Sequence, residues 1–489
     1  MKILFVVEKI VLSEPLGVMQ LSSICRQQNH HTRLVSLSKT PILRAIDEYN
    51  PDIIAYSTMT SSADLFIKAD RLVKEYLKRS NKSVARIMGG PHPTYFPNIL
   101  NECDLDAICI GEGDNAILGI ISKIREGKTL LGIPNVLSKE HKGNLRPHKE
   151  LINNLDSLPF VDRDILYEAA PYYKMAGLRS VLTARGCAYS CTYCYNSVYN
   201  EMFRGCGKVL RRRSVANVID EIKHLIKNYP PVKMIRFADD TFVYNIDQWL
   251  IDFSYEYKKG ISLPFYCLMR PNVLTEDMTK LLSEMGCITI SMSLETSNEN
   301  VRREILGRNI SDAAIIKAFE YTRKYNIKTH CNSMFGIPGT TIKQDFETFL
   351  FAKKLRISVP SFGIFCPFPN TKLTEYAINK GLLSRELSVA GEFNLKSTLN
   401  CYTEQEKQFQ LRLVWLGPIF CFLPDKFILF LKLLLKINLD KLYFIIWFVC
   451  FVSAFGATLF PYSNPGNAIS IFRILVDSFK YTRKIKLKI

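Results

Sequence analysis

Short apolar runs recur along the first part of the chain at Ile3–Val7, Ile53–Tyr56, Val84–Met88 and Ala107–Ile110, separated by stretches with helical spacing. This alternation predicts an α/β domain over residues 1–130 built on a doubly wound parallel sheet. The polar and glycine-rich signals sit where the runs end. They are Ser57-Thr58-Met59-Thr60-Ser61, Gly89-Gly90-Pro91-His92-Pro93-Thr94 and Gly111-Glu112-Gly113-Asp114, and in an open α/β sheet such ends converge on one crevice. Residues 131–175 carry Pro134, Pro147, Pro159 and Pro171 with little periodicity and read as a linker. From Val181 a second series begins, with strands expected at Val181–Ala184, Met234–Ala238, Phe265–Met269, Ile288–Leu294, Lys328–Met334 and Ser361–Phe365. Between the first two, Ser214 is a candidate cap, and Val215, Val218, Ile219, Ile222, Leu225 and Ile226 share one helical face. Six such units over residues 176–400 predict a partial (β/α)6 barrel with its chemistry on the loops at strand C-termini.

The pattern changes again over residues 401–489. Leu442–Phe460 holds no charged residue, a length sufficient to span a hydrocarbon core, whereas Phe427–Leu435 is short and interrupted by Lys432. Lys480, Arg483, Lys484, Lys486 and Lys488 end the chain. With the catalytic domains in the cytosol, one crossing would put this basic tail on the wrong side. A two-pass hairpin or a re-entrant or interfacial segment is therefore expected, with membrane contact through residues 427–460; a buried apolar helix pair is the alternative.

The chain has 489 residues, 47% hydrophobic and 22% charged, which excludes a disordered chain and a small disulfide scaffold. Met1–Val7 is followed at once by charge and reads as a strand, not a secretory leader. Most of the 14 cysteines are scattered singly, as in a reduced cytosolic protein. The net charge of +18 admits nucleic acid, an anionic membrane or acidic substrates. No nucleic-acid module is visible, and Arg211-Arg212-Arg213 reads as a solvated face or phosphate contact.

One group of cysteines is not scattered. Cys187, Cys191 and Cys194 follow the first barrel strand at C-x3-C-x2-C spacing, so a short loop can aim three sulfurs at one point. Structural zinc wants four protein ligands, and no fourth cysteine stands at ligand spacing; three thiolates leave one position open on a cubane iron-sulfur cluster. Tyr189, Tyr193 and Tyr195 suggest an apolar wall beside them.

This motif, with an aromatic residue before its third cysteine, resembles that of the radical S-adenosylmethionine enzymes. The resemblance implies that Cys187, Cys191 and Cys194 hold a 4Fe-4S cluster whose fourth iron is chelated by S-adenosylmethionine, reduced by an electron donor of the flavodoxin or ferredoxin type. It also implies cofactor contacts at later strand ends. Asp239 and Asp240 would meet the methionine amino group, Glu295 the ribose hydroxyls, and Gly336 and Gly339 the adenine.

The first domain, through Leu12–Leu21 and the Gly89-Gly90 and Gly111-Glu112-Gly113 turns, resembles the cobalamin-binding domain that precedes the barrel in one class of these enzymes. Ser57, Thr58, Gly89, Gly90, Gly111, Glu112 and Gly113 are the implied cobalamin contacts, and His92 a candidate cobalt neighbour or a turn cap. No D-x-H-x-x-G motif is present, so cobalt would lack that histidine ligand. The implied activity is methylation of an unactivated carbon of a lipophilic or lipid-linked small molecule, at the cytosolic face of a membrane. An oxidative cyclase of the magnesium-protoporphyrin monomethyl ester type and a non-catalytic iron-sulfur or cobalamin sensor are the competing readings. A methylthiotransferase is disfavoured because Cys25, Cys103 and Cys109 are too dispersed for a second cluster.

Overall fold

The computed structural model describes residues 1–10, 13–141, 148–385, 396–459, 461 and 465–479. Leu12, Pro147, Phe460 and the basic tail from Lys480 to Lys488 lie outside the described residues.

The first sheet has six strands: β1 (Lys2–Val7), β2 (His31–Ser36), β3 (Ile53–Ser57), β4 (Ala85–Gly89), β5 (Ala107–Cys109) and β6 (Val136–Ser138), in the order β2-β1-β3-β4-β5-β6. Helices on both faces explain why central strands read as unbroken apolar runs: five of the six β1 residues are buried. Two strands escaped that pattern. The edge strand β2 carries His31 and Arg33, which an outermost position tolerates. β6 lies within the proline-rich stretch read as a linker and pairs antiparallel with β5.

The second sheet contains β7 (Leu178–Val181), β10 (Met234–Phe237), β11 (Phe265–Leu268), β12 (Cys287–Glu295), β13 (Lys328–Phe335) and β14 (Val359–Ile364), all parallel in the order β14-β13-β12-β11-β10-β7. Two short strands, β8 (Ala184–Arg185) and β9 (Arg211–Arg212), form a separate ribbon. The first strand thus lies earlier than Val181–Ala184, because the chain leaves the sheet at Val181 to build that ribbon. Ser214 does cap Val215–Asn228, accepting from the Asn217 N–H at 3.2 Å.

β14 and β7 remain open edges, and the C-terminal helices bridge them. Helix Glu404–Phe420 packs on β14; Asp440–Leu459, the tail helix, packs on both; Pro465–Phe479 packs on Tyr172–Ala176, just before β7. Tyr443, Trp447, Phe451 and Phe455 recur every fourth position on the tail helix and form its buried face. His330 of β13 meets Phe455 edge-on with ring centroids 5.1 Å apart, and Thr289 of β12 donates to the Thr458 carbonyl at 3.3 Å. The two-pass hairpin is not formed. Ile428–Leu434 is only seven residues long, and the tail helix is held along one face by the sheet.

Buried charge locks the two sheets together. Arg163 is 0% exposed; its Nη1 donates to both Glu14 carboxylate oxygens at 3.1 Å, and its Nη2 to the Ser180 carbonyl of β7 at 2.6 Å. The Ser180 N–H completes the ring by donating to Glu14 at 2.7 Å. Arg163→Met strands the Glu14 carboxylate in the interior and is expected to cost about 3–5 kcal/mol in denaturant unfolding. A loss below about 1 kcal/mol, the range of surface pairs, refutes this account of the interface.

Candidate functional site

The cysteine loop runs from Gly186 to Cys194, between β8 and the helix Tyr195–Met202. Gly186 opens it at φ +91°, where a Cβ would stand 2.4 Å from the Val209 carbonyl oxygen, so only glycine fits. The loop backbone is satisfied by the surrounding protein. Thr192 N–H donates to Leu306 O at 3.1 Å, Ala188 N–H to the Tyr244 hydroxyl at 3.2 Å, and Asn200 Nδ2 to Cys187 O at 3.1 Å. Cys191 is buried, while Cys187 and Cys194 are half-buried. Burial pushes the Cys194 thiol up to about 11, and the nearby Cys191 and Cys187 sulfurs add to the shift.

Among the described residues no three His, Cys, Asp or Glu side chains form a group that could hold a metal ion. A cubane cluster needs no such group, since each thiolate binds a different iron. Arg270, beyond β11, supplies what a buried thiolate needs: Nη1 lies 3.3 Å from Cys191 Sγ, and the guanidinium sits 3.5 Å over the Tyr189 ring. Three neighbouring thiols, a cation on the most buried one and a rigid loop fit such a cluster. No sequence signal marked Arg270.

The tyrosines of the loop do not form a shared apolar wall. Tyr189 carries Arg270, Tyr195 stacks on Tyr95 of the first domain with centroids 4.2 Å apart, and Tyr193 donates to Glu295 at 2.7 Å. Glu295 ends β12 at φ +63°, and Arg308 reaches both Tyr193 Oη at 3.1 Å and Glu295 Oε1 at 3.6 Å. Glu295 Oε1 is thereby held by Tyr193 and Arg308.

Asp239 and Asp240 diverge, as strand alternation requires. Asp240 is exposed and close enough to Cys187 and Cys194 to act on both thiols electrostatically. Asp239 is buried instead. Its Oδ1 accepts from Thr183 N–H at 2.9 Å, Thr183 Oγ1 at 3.1 Å and Ala184 N–H at 2.6 Å, anchoring the strand end from which the cysteine loop springs. Gly336 and Gly339 adopt left-handed φ of +66° and +86°. Gly336 faces inward, its N–H donating to Asp345 at 3.0 Å, with Gln410 Nε2 3.1 Å from where a Cβ would stand.

A cavity of about 520 Å³ lies at the C-terminal ends of the first sheet, and Ser57, Gly89, Gly90, Gly111, Glu112 and Gly113 all line it. Gly90 at φ +96° would press a Cβ to 2.9 Å from the Thr58 carbonyl oxygen. Thr58 itself is fully buried with an unpartnered hydroxyl, as is that of Thr60. A largely apolar cavity and a backbone cradle at Gly90 fit a bulky corrinoid; neither Thr58 nor Thr60 lines it. His92 stands outside the cavity lining on the short helix Pro91–Tyr95, stacked on Phe96 at 5.1 Å. Burial lowers its imidazole to about 4, so it is neutral at pH 7, and Nδ1 has no partner.

Glu112 and Asp114 turn from the first domain toward the second. Arg185 of β8 clasps Asp114 with two bonds of 2.8 and 2.9 Å, and Arg211 of β9 clasps Glu112 at 2.7 and 3.0 Å. The reading of Arg211-Arg212-Arg213 as a solvated face is overturned. Arg211 is buried against Glu112, Arg212 lies 4.5 Å over the Trp249 ring, and Arg213 pairs with Glu221. Gly111 completes the joint: a Cβ there would stand 2.3 Å from the Phe203 ring of the second domain. The strand end from which the cysteine loop springs is thereby held against the glycine loops.

Burial raises the Asp239 carboxyl to about 7, against an unfolded value near 4. The native state then holds a proton that the unfolded chain releases between these values, so this group's contribution to stability rises as pH falls from 7 toward 4. Asp239→Asn should remove that slope in unfolding experiments while keeping the three hydrogen bonds. Asp239→Ala should lose about 2–4 kcal/mol at pH 7. Equal slopes in wild type and Asp239→Asn would contradict the assignment.

Comparison with known proteins agrees with this geometry. The Radical SAM superfamily matches residues 181–352, and the B12 binding domain residues 9–121. The chain is 32% identical over 382 residues to an uncharacterised methyltransferase of Pyrococcus horikoshii, covering 76% of this chain and 79% of that one. It is 23% identical to the cytidylyl-2-hydroxyethylphosphonate methyltransferase of Streptomyces wedmorensis, covering 72% and 71%. Among solved structures, the cobalamin-dependent S-adenosylmethionine radical enzyme OxsB with aqua-cobalamin bound superimposes with a TM-score of 0.67 at 14% identity, over 98% of this chain and 78% of that one. On both domain matches and the relative in Pyrococcus horikoshii, the chain belongs to the cobalamin-dependent radical S-adenosylmethionine enzymes, in their methyltransferase family.

Proposed function

We propose that the protein methylates an unactivated carbon of a lipophilic or lipid-linked small molecule at the cytosolic face of a membrane. The observation that carries this reading is the joint between the domains. Arg185 on Asp114, Phe203 on Gly111 and Tyr195 on Tyr95 hold the cysteine loop against the loops that line the cavity. A substrate in the space between them faces both cofactor sites. When bound, the cluster with S-adenosylmethionine supplies hydrogen-atom abstraction and methylcobalamin supplies the methyl group.

The chain's own residues orient and shield. Arg270 compensates the buried Cys191 sulfur, Asp240 is the free carboxylate at the cysteine loop for the methionine amino group, and Asp239 fixes the origin of the loop. On the second sheet Arg236, Tyr266, Ser291 and His330 form a polar strip across adjacent strands, with Ser291 Oγ 3.1 Å from His330 Nδ1. The strip gives a largely apolar substrate a few polar anchors. A preference for lipophilic substrates is supported by the tail helix, whose aromatic face packs on His330 and whose other face is apolar and exposed.

Anaerobic reconstitution with iron, sulfide and cobalamin, followed by S-adenosylmethionine, a reductant and lipid extract, tests the reading. The expected products are 5′-deoxyadenosine and a substrate heavier by one methylene equivalent. Cys191→Ala should retain cobalamin yet release no 5′-deoxyadenosine. A substrate oxidised without added carbon marks a cyclase, and bound cofactors without cleavage a sensor; either result overturns the proposal.

A further inference from the structure

The exposed side of the tail region has a chemistry of its own. From Phe422 to Val449 the chain presents large apolar side chains to solvent in close succession, among them Leu429, Phe430, Leu433, Leu442, Ile445 and Val449. Leu429 is 77% exposed and Ile445 and Val449 each 58%, and they lie within one segment rather than singly over the surface. The charged residues interleaved with them are biased to one sign. Lys426, Lys432, Lys436 and Lys441 are exposed, and none is paired with a carboxylate among the described residues. The two carboxylates of the segment are neutralised from the protein side: Asp425 pairs with Lys353 at 3.4 Å and Asp440 with Arg412 at 2.7 Å. An apolar surface edged by unopposed lysines is complementary to an anionic lipid surface.

The buried face decides how such a surface engages lipid. Asp440–Thr458 is long and apolar enough to cross a bilayer, but Tyr443, Trp447, Phe451 and Phe455 are packed on the protein. Arg412 holds its first turn through Asp440, and Thr289 holds its last through the Thr458 carbonyl. Crossing a bilayer would strip these contacts and leave Thr289 and His330 of the sheet uncovered. We infer that the protein docks on one leaflet of an anionic membrane through the outward face of residues 422–449, the tail helix lying in the interface with its inner face still closing the sheet.

This inference rests on the membrane association proposed above and is independent of the reaction. Full-length protein is expected to co-sediment with phosphatidylcholine vesicles containing phosphatidylglycerol, less so with phosphatidylcholine alone or at high salt. Washing with alkaline carbonate should release it. Leu429→Glu/Leu433→Glu/Ile445→Glu changes only exposed side chains, so it should keep its melting temperature and cobalamin binding while its vesicle affinity falls roughly tenfold or more. Lys436→Gln/Lys441→Gln should weaken only the dependence on anionic lipid. Resistance to carbonate would mean a spanning helix and overturn the inference. So would vesicle binding unchanged in the triple-glutamate variant, absence of vesicle binding, or self-association through this face in sedimentation velocity. Formation of 5′-deoxyadenosine by the same preparation reports separately on the chemistry, so failure of docking and failure of the enzymatic reading are distinguishable.

Discussion

The interdomain charge lattice is the constraint on which the remaining geometry depends. Glu112 and Asp114 on one domain and Arg185 and Arg211 on the other are largely removed from water, and each carboxylate receives a two-bonded guanidinium. Buried ions of this kind contribute little net stability, but a misplaced one is costly, so the lattice specifies orientation. Arg163 with Glu14 and the Ser180 carbonyl does the same from the side of β7. Two sheets that could otherwise dock at many angles are left with one in which their C-terminal loops face each other.

That orientation matters because neither domain completes the chemistry alone. The first contributes a cavity with a glycine cradle at Gly90, the second a thiol loop braced by Arg270 and Tyr193. Stacking of Tyr95 on Tyr195 and the missing Cβ at Gly111 allow the two loop systems to approach within van der Waals contact. Radical chemistry needs its reacting groups held close and dry, and here closeness is set by rigid strand ends rather than by mobile arms. The tail helices complete the enclosure from the other end, bridging the open edges β14 and β7.

Hydrophobic periodicity found the central strands of the first sheet, which are covered on both faces, and five of the six parallel strands of the second, whose first strand lies earlier than the run at Val181–Ala184. It failed where burial is one-sided or absent, at edge strand β2 and at β6 inside the proline-rich stretch. The site behaved similarly. Cys187, Cys191 and Cys194 were legible from spacing alone, and the glycine turns from their places at strand ends. Glu295, Asp239 and Gly336 were legible as strand-end residues, but the contacts that hold them were not. Their partners, Arg308, Thr183 and Asp345, come from separate segments that no local pattern connects to them.

The amino-acid sequence by itself determined the order of the domains, the place of the three-cysteine motif and the presence of an apolar tail, because each is written in local spacing and composition. The tertiary structure alone decided which charges are buried. Arg211-Arg212-Arg213 is indistinguishable from a solvated run until Glu112, Trp249 and Glu221 arrive beside it from elsewhere in the chain. It alone decided the state of the tail helix as well. Hydropathy is a sum over a segment, whereas spanning, burial or interfacial docking depends on which face meets the protein, and that is set by contacts with His330 and Arg412 that lie far away in sequence.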